Sequence, residues 1–346
     1  MTTSISLTQL GWSPFFQQQL SLEEWDVHNA GRVIGHHRST IEVMTEQGKQ
    51  VLPLTPKMPL LTVGDWVLLN ADGRFHRALD RRSLFSRKAA GSRVAEQFIA
   101  ANIDTVFVVC SLNDDFNLNR IERYLALAAD AGVEPVVVLT KSDCCDDPQT
   151  HVRQVQSLNN LLMVEAVNAL NPLSTKVLEF WCGIGRTVAF LGSSGVGKST
   201  LINILLGQAR QATAAIRVDD SKGRHTTTAR SLHLMPSGAL ILDTPGMREL
   251  QLTDCEQGVS ETFADIGDLS AQCRFADCQH QDEPDCAIRA AIHAGRLDER
   301  RLENYRKLMR EQALNSASLA EKRARDRSLG RYYRSIQTAA RQRKKG

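Results

Sequence analysis

A glycine-rich segment near the middle of the chain has the spacing of a phosphate-binding loop. Residues 192–199 read GSSGVGKS, which matches G-x-x-x-x-G-K-[ST]. Glycines let backbone N–H groups turn towards phosphate oxygens, while the lysine reaches the β- and γ-phosphates and the last hydroxyl binds Mg²⁺. We therefore predict nucleotide binding, with Lys198 on phosphate and Ser199 on Mg²⁺; a ligand-free Gly/Ser turn is the alternative. The predicted loop residues are Gly192, Ser193, Ser194, Gly195, Val196, Gly197, Lys198, Ser199 and Thr200.

A second phosphate-side element follows the apolar run ALILDT, where residues 243–246 read DTPG. An aspartate at a strand end can hold the Mg²⁺ shell, and the N–H of the following glycine can contact the γ-phosphate. Alone, this tetrapeptide is equally compatible with an ordinary turn. Its position downstream of the phosphate loop favours Asp243 and Gly246 as nucleotide-site residues.

A base-reading motif is predicted where the apolar run VVVLT ends, at Thr140, Lys141, Ser142 and Asp143. The Asp143 carboxylate can accept hydrogen bonds from both N1–H and the 2-amino group of guanine, a donor pair that adenine lacks. Lys141 is expected to lie along the base. The usual motif begins with Asn, so Thr140 alters one hydrogen-bond brace; a helix N-cap after a strand is the alternative. Residues 167–169 (VNA) stand where a second, weaker base contact is expected.

The segment GRHTTT at 223–228 lies between the phosphate loop and DTPG, where a GTPase switch must lie. Thr226 or Thr227 is expected to contact Mg²⁺ and the γ-phosphate, and we favour Thr227. Met247 follows DTPG where many GTPases place a water-orienting glutamine, and a thioether cannot orient water. His225 is the nearest candidate for that role, since imidazole suits proton transfer near neutral pH; a surface histidine is the alternative. The predicted catalytic residues are His225, Thr227 and Lys198.

Three cysteines and a histidine fall within a short stretch near the C-terminus, at Cys273, Cys278, His280 and Cys286. Three thiolates and one imidazole form a complete tetrahedral Cys₃His set, which is typical of a structural zinc site. The few apolar residues around them favour a fold stabilised by metal. Buried free thiols are the alternative.

The elements that position these motifs alternate between strand-like and helical runs from residue 104 onwards. This alternation predicts an α/β fold with a doubly wound parallel sheet. The predicted strands are 104–110, 134–140, 161–167, 186–192, 231–236 and 239–244, and the clearest helices are 119–132 and 198–207. Between Ala30 and Phe85, short apolar runs separated by turn residues predict a small β-barrel, either OB-type or SH3-like.

The order of the motifs is unusual, because the base reader precedes the phosphate loop. An ordinary GTPase has the opposite order. The sequence therefore predicts a circularly permuted GTPase domain whose switch lies near its C-terminal end. A domain that follows DTPG directly would respond to γ-phosphate contacts.

Charge is unevenly distributed along the 346 residues. The whole chain is net +3, but residues 301–346 hold 14 Lys/Arg against 4 Asp/Glu. The end of this stretch, a basic tail at 321–346 that includes Tyr332 and Tyr333, predicts RNA binding through phosphate neutralisation and base stacking, with a solvated helix as the alternative. No apolar run has the roughly 20 residues that a bilayer requires, and the N-terminus lacks the pattern of a signal peptide, so a cytosolic protein is predicted.

The chain resembles the ribosome small-subunit-dependent GTPase A family, which comprises circularly permuted bacterial 30S biogenesis factors. The resemblance covers about residues 30–310. It rests on SLFSRKAAG, IAANIDTVFVV, RIERYL, VVVLTKSD, GSSGVGKST, GRHTTT, DTPGMREL and CRFADCQHQDEPDCA.

This resemblance implies an OB barrel, a permuted GTPase core and a zinc-bearing C-terminal domain, divided here as residues 1–85, 86–252 and 253–346. It also implies GTP hydrolysis stimulated by the small (30S) ribosomal subunit, contact with 16S rRNA, one structural Zn²⁺, and Mg²⁺ with GTP. A monomer is the default expectation. Thr140 departs from the family pattern, and a diverged paralogue with another role is compatible with the sequence.

Two other function classes compete with the GTPase. One is an RNA-binding assembly factor whose nucleotide site is only structural, and the other is an ATPase with a phosphate loop. Intact Lys198, Ser199 and Asp243 favour the enzyme, and Asp143 favours guanine over adenine.

Overall fold

The structure is a computed structural model that describes residues 5–88, 96–113, 115–207, 230–243 and 255–316. Its strands are β1 (Asn29–His36), β2 (Thr40–Thr45), β3 (Gly48–Pro53), β4 (Trp66–Leu69), β5 (Phe75–Ala78), β6 (Leu84–Lys88), β7 (Glu96–Ala101), β8 (Thr105–Ser111), β9 (Glu134–Thr140), β10 (Met163–Ala166), β11 (Thr187–Leu191), β12 (Arg230–Leu234) and β13 (Leu240–Asp243).

The described helices alternate with the later strands and then continue alone to the C-terminal side. They are α1 (Pro14–Gln17), α2 (Leu22–Val27), α3 (Leu118–Asp130), α4 (Pro148–Gln156), α5 (Pro172–Thr175), α6 (Lys198–Leu205), α7 (Glu256–Thr262), α8 (Ala264–Ser270), α9 (Ala287–His293) and α10 (Glu299–Ser316). Two 3₁₀ segments, Ser142–Cys144 and Lys176–Trp181, follow β9 and α5. Among the described residues, no helix combines the length and apolar character needed to span a bilayer.

The central sheet has the order β10-β9-β8-β11-β13-β12, in which β12 alone runs antiparallel to its neighbour β13. Every residue of β8 is buried because both faces of this sheet are covered. Phe107 and Val109 belong to the core beneath α6, whereas Val108 and Cys110 belong to the core beneath α3 and α4. The predicted α/β fold with helices on both faces of a parallel sheet is therefore confirmed.

Strands β1 to β5 form an antiparallel sheet in the order β3-β2-β1-β4-β5. Side chains from all five strands share one apolar core, including Val33, Ile41, Leu52, Val67 and Phe75, so the sheet curls around a common interior. A five-stranded, partly open barrel has this character. No ladder joins β3 to β5 within the described ranges, and the OB assignment stays a prediction.

The N-terminal leader packs on this small sheet. Leu10 and Phe16 are buried in a cluster with Trp66, and the Trp12 ring meets the Trp66 ring edge-on at 4.8 Å between centroids. Helix α2 begins with a capping box in which the Ser21 hydroxyl accepts the Glu24 N–H while the Glu24 carboxylate accepts the Ser21 N–H. The leader, which carried little signal in the sequence, thus completes the core of the sheet.

The small sheet and the central sheet are continuous, because the end of β1 pairs with β12. The guanidinium of Arg32 strengthens this junction from inside. It donates to the carbonyls of Leu10 at 2.6 Å, Asn102 at 2.8 Å and Gly64 at 3.3 Å, and burial lowers its pKa to about 10. One buried cation therefore connects the leader, the small sheet and the segment that enters the central sheet.

Candidate nucleotide and metal sites

The predicted nucleotide loops follow strands that are neighbours and parallel, so their carboxyl ends meet at one edge of the sheet. Strand β8 lies between β9 and β11, and β13 lies on the other side of β11. In open α/β sheets, ligands bind outside this carboxyl edge. Strand β11, which carries the phosphate loop, is central although it comes fourth along the chain among the six strands of the central sheet, which agrees with the predicted circular permutation.

The phosphate loop leaves β11 through a glycine that no other residue could replace without strain. Gly192 has φ +146°, and a Cβ there would lie 2.3 Å from the Val109 carbonyl oxygen. At the far end, Gly197 has φ +96° and forms the N-cap of α6. The turn between them directs the start of α6, with its free N–H groups and positive dipole end, towards the loop.

Lys198 lies inside the curve of this loop. Only 7% of the residue is exposed, and its ammonium group donates to the carbonyl oxygens of Gly192, at 2.7 Å, and Ser193. A buried ammonium held against backbone oxygens is available for exchange to stronger phosphate acceptors. Ser199 occupies the first turn of α6, as its predicted Mg²⁺ role requires.

The base-reading segment turns sharply at the end of β9. Lys141 adopts φ +57°, a left-handed conformation that is uncommon for a residue with a side chain and is enriched at functional sites. The turn places the Ser142 N–H 3.3 Å from the Val167 carbonyl oxygen and leaves Asp143 exposed. An exposed carboxylate next to the phosphate-loop edge suits a ligand-reading role.

Thr140 connects the two loops directly. Its hydroxyl, which is completely buried, donates to the Val196 carbonyl oxygen of the phosphate loop at 2.6 Å. The base reader and the phosphate loop are therefore adjacent on one side of the sheet, although 56 residues separate these two positions. Threonine replaces the usual Asn at this position, and its hydroxyl supplies the hydrogen bond to the phosphate loop.

A third element reaches the phosphate loop without any advance signal in the sequence. The Ser193 hydroxyl donates to Asp115 at 2.8 Å, and Arg120 donates to the Ser193 hydroxyl at 3.1 Å and to Asp115. Burial raises the pKa of Asp115, but the hydrogen bonds from Arg120 and Ser193 outweigh it, and the net pKa is lowered. The charge of Lys141 acts in the same direction, so Asp115 is held as a carboxylate.

The remaining predicted nucleotide residues are described only in part. The backbone of Asp243 ends β13 opposite Ser231. In the predicted second base contact, the Asn168 side chain accepts the Leu170 N–H at 2.8 Å and thus stabilises its own turn. His225, Thr227, Gly246 and the basic tail lie outside the described residues.

The four predicted zinc ligands come together in the C-terminal region, with all four ligand atoms within 4.8 Å of one another. The sulfurs of Cys273 and Cys286 are 3.9 Å apart, and each lies 3.6 Å from Nδ1 of His280. Two sulfurs at about 2.3 Å from one tetrahedral zinc would be about 3.8 Å apart. The donor set and its spacing therefore fit a zinc ion.

Neighbouring groups orient this cluster. Nε2 of His280 lies 3.3 Å from the Ser270 hydroxyl, which leaves Nδ1 directed at the sulfurs, as an outer hydrogen bond does in many zinc sites. Arg306 on α10 donates to the carbonyl oxygens of Gln279 and of His280, the latter at 3.0 Å. The cluster is thus attached to the long C-terminal helix.

Comparison with known proteins agrees with this architecture. A family model described as RsgA GTPase matches residues 78–253. The Small ribosomal subunit biogenesis GTPase RsgA 2 of Vibrio parahaemolyticus serotype O3:K6 is 60% identical over 343 residues, which are 99% of this chain and 96% of that protein.

Two solved structures share the fold. The crystal structure of YjeQ from Thermotoga maritima has a TM-score of 0.63 and 27% identity, over 82% of this chain and 98% of that one. The structure of YloQ, described as a circularly permuted GTPase, has a TM-score of 0.59 and 22% identity over 84% and 96% of the two chains, and it supports the fold alone. The predicted permutation and family resemblance are confirmed. The chain belongs to the RsgA GTPase family.

Proposed function

We propose that this chain hydrolyses GTP to GDP and phosphate during late maturation of the small ribosomal subunit. The contact between Thr140 and Val196 carries the nucleotide part of this proposal, because it brings the base reader beside the phosphate loop. The ribosomal part is supported by the name of the Vibrio parahaemolyticus relative, Small ribosomal subunit biogenesis GTPase RsgA 2. The number 2 in that name makes a distinct role for a second copy the alternative.

Each part of the nucleotide has a proposed partner. Asp143 accepts the guanine donors, with Lys141 along the base. Backbone N–H groups of the phosphate loop bind the phosphates together with Lys198. The hydroxyls of Ser199 and Thr227 hold Mg²⁺, and Asp243 supports the water shell of the ion. When bound, Mg²⁺ neutralises charge that develops on the phosphates.

Water activation is assigned to His225. Met247 stands where a glutamine often orients water, and a thioether cannot do so. An imidazole in the switch can both position a water molecule and accept its proton. We expect slow turnover in isolation, since the missing water-positioning group resembles sites that a partner completes.

The C-terminal and N-terminal regions have proposed roles in the same process. Cys273, Cys278, His280 and Cys286 hold one structural zinc ion, since their distances fit that ion. The small barrel and the basic tail at 321–346 contact 16S rRNA, where phosphate neutralisation makes binding sensitive to salt. We propose a cytoplasmic monomer, in keeping with a factor that acts on ribosomal subunits.

The decisive measurement is the GTP turnover rate with and without purified small ribosomal subunits. We expect clear stimulation by small subunits and none by large subunits. If small subunits do not raise the turnover rate, GTP hydrolysis would still be supported but the ribosomal role would be contradicted, as expected for a diverged second copy. Loss of turnover in both conditions, with intact GDP binding, would favour an assembly factor whose nucleotide is structural.

Guanine reading is tested by Asp143→Asn. Xanthine has a carbonyl at C2 where guanine has its amino group, and an amide can donate to that oxygen. We expect GDP affinity to fall about 100-fold, as for two lost charge-assisted hydrogen bonds, while xanthosine diphosphate affinity rises. Asp146→Asn, an exposed change in the same loop, is the matched control. Equal affinity of Asp143→Asn for GDP would remove Asp143 from the site.

A further inference from the structure

Apart from the internal contacts of Lys198 with Gly192 and Ser193, the phosphate loop is held at two points by side chains from outside it, and these two anchors come from different elements. Near its end, the Val196 carbonyl oxygen accepts the Thr140 hydroxyl at 2.6 Å. Near its beginning, the Ser193 hydroxyl donates to Asp115 at 2.8 Å. Between these points, Ser194 and Gly195 are exposed. The exposed residues Ser194 and Gly195 therefore lie between two positions that are fixed by hydrogen bonds to other elements.

Thr140 can serve only one of these ends. A hydroxyl has a single proton to donate. The Thr140 proton is directed to Val196, because the other oxygen within reach, the carbonyl of Cys110, is farther away at 3.4 Å. Neither of these oxygens belongs to Ser193, whose hydroxyl is held by Asp115 instead.

The anchor at Ser193 is charged and itself fixed in place. Arg120, in the first turn of α3, donates both to Asp115 and to the Ser193 hydroxyl. Its helix begins at an Asn117 cap and buries Ile121 in the core beneath the sheet. A carboxylate supported in this way is a stronger and more directional acceptor than a neutral group.

We propose that Asp115 and Arg120 are positioning residues that fix the Ser193 end of the phosphate loop and thereby set the affinity for guanine nucleotides. They act through Ser193 and do not contact the reacting atoms. Because the anchored turn wraps the phosphates common to both nucleotides, GDP and GTP affinities depend on it equally. This inference rests on the proposed nucleotide site.

The test is equilibrium binding of fluorescent GDP and of a non-hydrolysable GTP analogue to the full chain. Asp115→Asn and Ser193→Ala are expected to raise both dissociation constants about tenfold, the effect of one charge-assisted hydrogen bond. Ser193→Thr keeps the hydroxyl and is expected to stay within about threefold of wild type on the same scale. For Asp115→Asn, the single-turnover rate of saturated enzyme is expected to change less than about twofold, since Asp115 acts on ground-state binding through Ser193.

A double-mutant cycle separates positioning from a general loss of structure. The combination Asp115→Asn with Ser193→Ala is expected to bind no more weakly than Ser193→Ala alone, because both remove the same anchor. Thr140→Val combined with Ser193→Ala is expected to weaken binding further, because it removes the other anchor. Asp146→Asn serves again as the control.

Several outcomes would overturn the proposal. Unchanged affinity of Asp115→Asn and Ser193→Ala would do so, as would additive losses at these two positions. If Asp115→Asn does not fold, the contrast between Ser193→Ala and Ser193→Thr decides, and equal affinities reject the anchor. Failure of the wild-type chain to bind GDP would instead reject the proposed nucleotide site.

Discussion

The nucleotide pocket and the Cys₃His cluster are assembled in opposite ways. Contacts in the pocket join residues far apart in sequence: Thr140 and Val196 are 56 positions apart, and Asp115 and Ser193 are 78 apart. The metal ligands all fall between Cys273 and Cys286. The pocket therefore exists only once the sheet is formed, whereas the cluster closes locally.

The two regions also differ in what stabilises them. Strand β8 beneath the pocket is buried along its whole length, so burial of apolar surface fixes the loops above it. Between residues 271 and 285, no side chain is fully buried. Because the segment closes locally without a core, we expect a metal bound by the cluster to be its main source of stability. The two sites should accordingly fail independently.

Loss of the metal is expected to have the largest effect. Cys286→Ser, or chelation of the wild-type chain, should abolish zinc binding, for which apparent energies in small zinc domains are about 10–16 kcal/mol. We expect faster hydrogen exchange in α9 and in the metal loop, with GDP affinity changed by less than about threefold, because the pocket contacts lie in the sheet. Metal content, hydrogen exchange and GDP titration measure these effects.

Cys145→Ser, a half-buried cysteine outside the cluster, is the control for that experiment. It should retain the metal. If removal of zinc also eliminated GDP binding, the two regions would not be independent.

The next largest effect is expected at the contact between α3, which lies beside the phosphate loop, and α10, which holds the metal cluster through Arg306. Glu122 on α3 is fully buried and accepts hydrogen bonds from Arg300 at 2.9 Å and Arg301 at 2.8 Å. Glu122→Ala leaves buried positive charge without part of its compensation, and we expect a loss of about 3 kcal/mol in unfolding free energy. Glu311→Gln breaks the more exposed pair with Arg123 and should cost less than about 1 kcal/mol. Similar values for both variants, from denaturant titration, would contradict this ranking.

Lys198→Ala should affect the nucleotide pocket alone. Removing the ammonium group is expected to weaken GTP binding about 100-fold, the effect of lost charge-assisted hydrogen bonds to phosphate. The melting temperature and zinc content should stay close to wild type, since the sheet and the cluster do not depend on that charge. Lys176→Ala, an exposed lysine, provides the control. Loss of zinc from Lys198→Ala would contradict the expected independence of the nucleotide pocket and the metal cluster.

The smallest effect is expected in the N-terminal leader, where protonation of Glu24 would weaken the capping box of α2. Hydrogen bonds from Arg77 and from the Ser21 backbone lower the pKa of Glu24 from 4.5 to about 2. A carboxylate with a lowered folded pKa stabilises the fold above pH 4.5, and this contribution disappears as the pH falls towards about 2. Fluorescence of Trp25 on the same helix should report release of α2 in that window, and Glu24→Gln should abolish the transition, whereas Glu23→Gln should not. An unchanged transition in Glu24→Gln would assign it to another group.

Much of the GTPase core could be predicted because its strands are short apolar runs buried on both faces. The predicted strand 134–140 coincides with β9, and 186–192 differs from β11 by one residue at each end. The grouping of Cys273, Cys278, His280 and Cys286 was also predictable, since a local cluster keeps its pattern in the sequence. The domain boundaries and the individual nucleotide contacts stay predictions.

Features that depend on distant partners could not be predicted. Strand β5 and the hairpin of β6 and β7 lack strong apolar alternation and form through pairing. The leader depends on Trp66, and the role of Arg32 depends on three carbonyl groups from separate segments. Asp115 is an ordinary loop residue in sequence, and only the position of β8 next to β11 gives it a partner in Ser193.

Helix α3 presents Arg120 towards the phosphate loop and, half a turn later, Glu122 towards α10. This helix of 13 residues thus contacts both the phosphate loop and the C-terminal helix α10. An exchange of the C-terminal region with a relative would therefore replace Arg300 and Arg301 while leaving Glu122 in place. Such a chimaera keeps this buried ion pair only where the incoming helix supplies cations at the same positions.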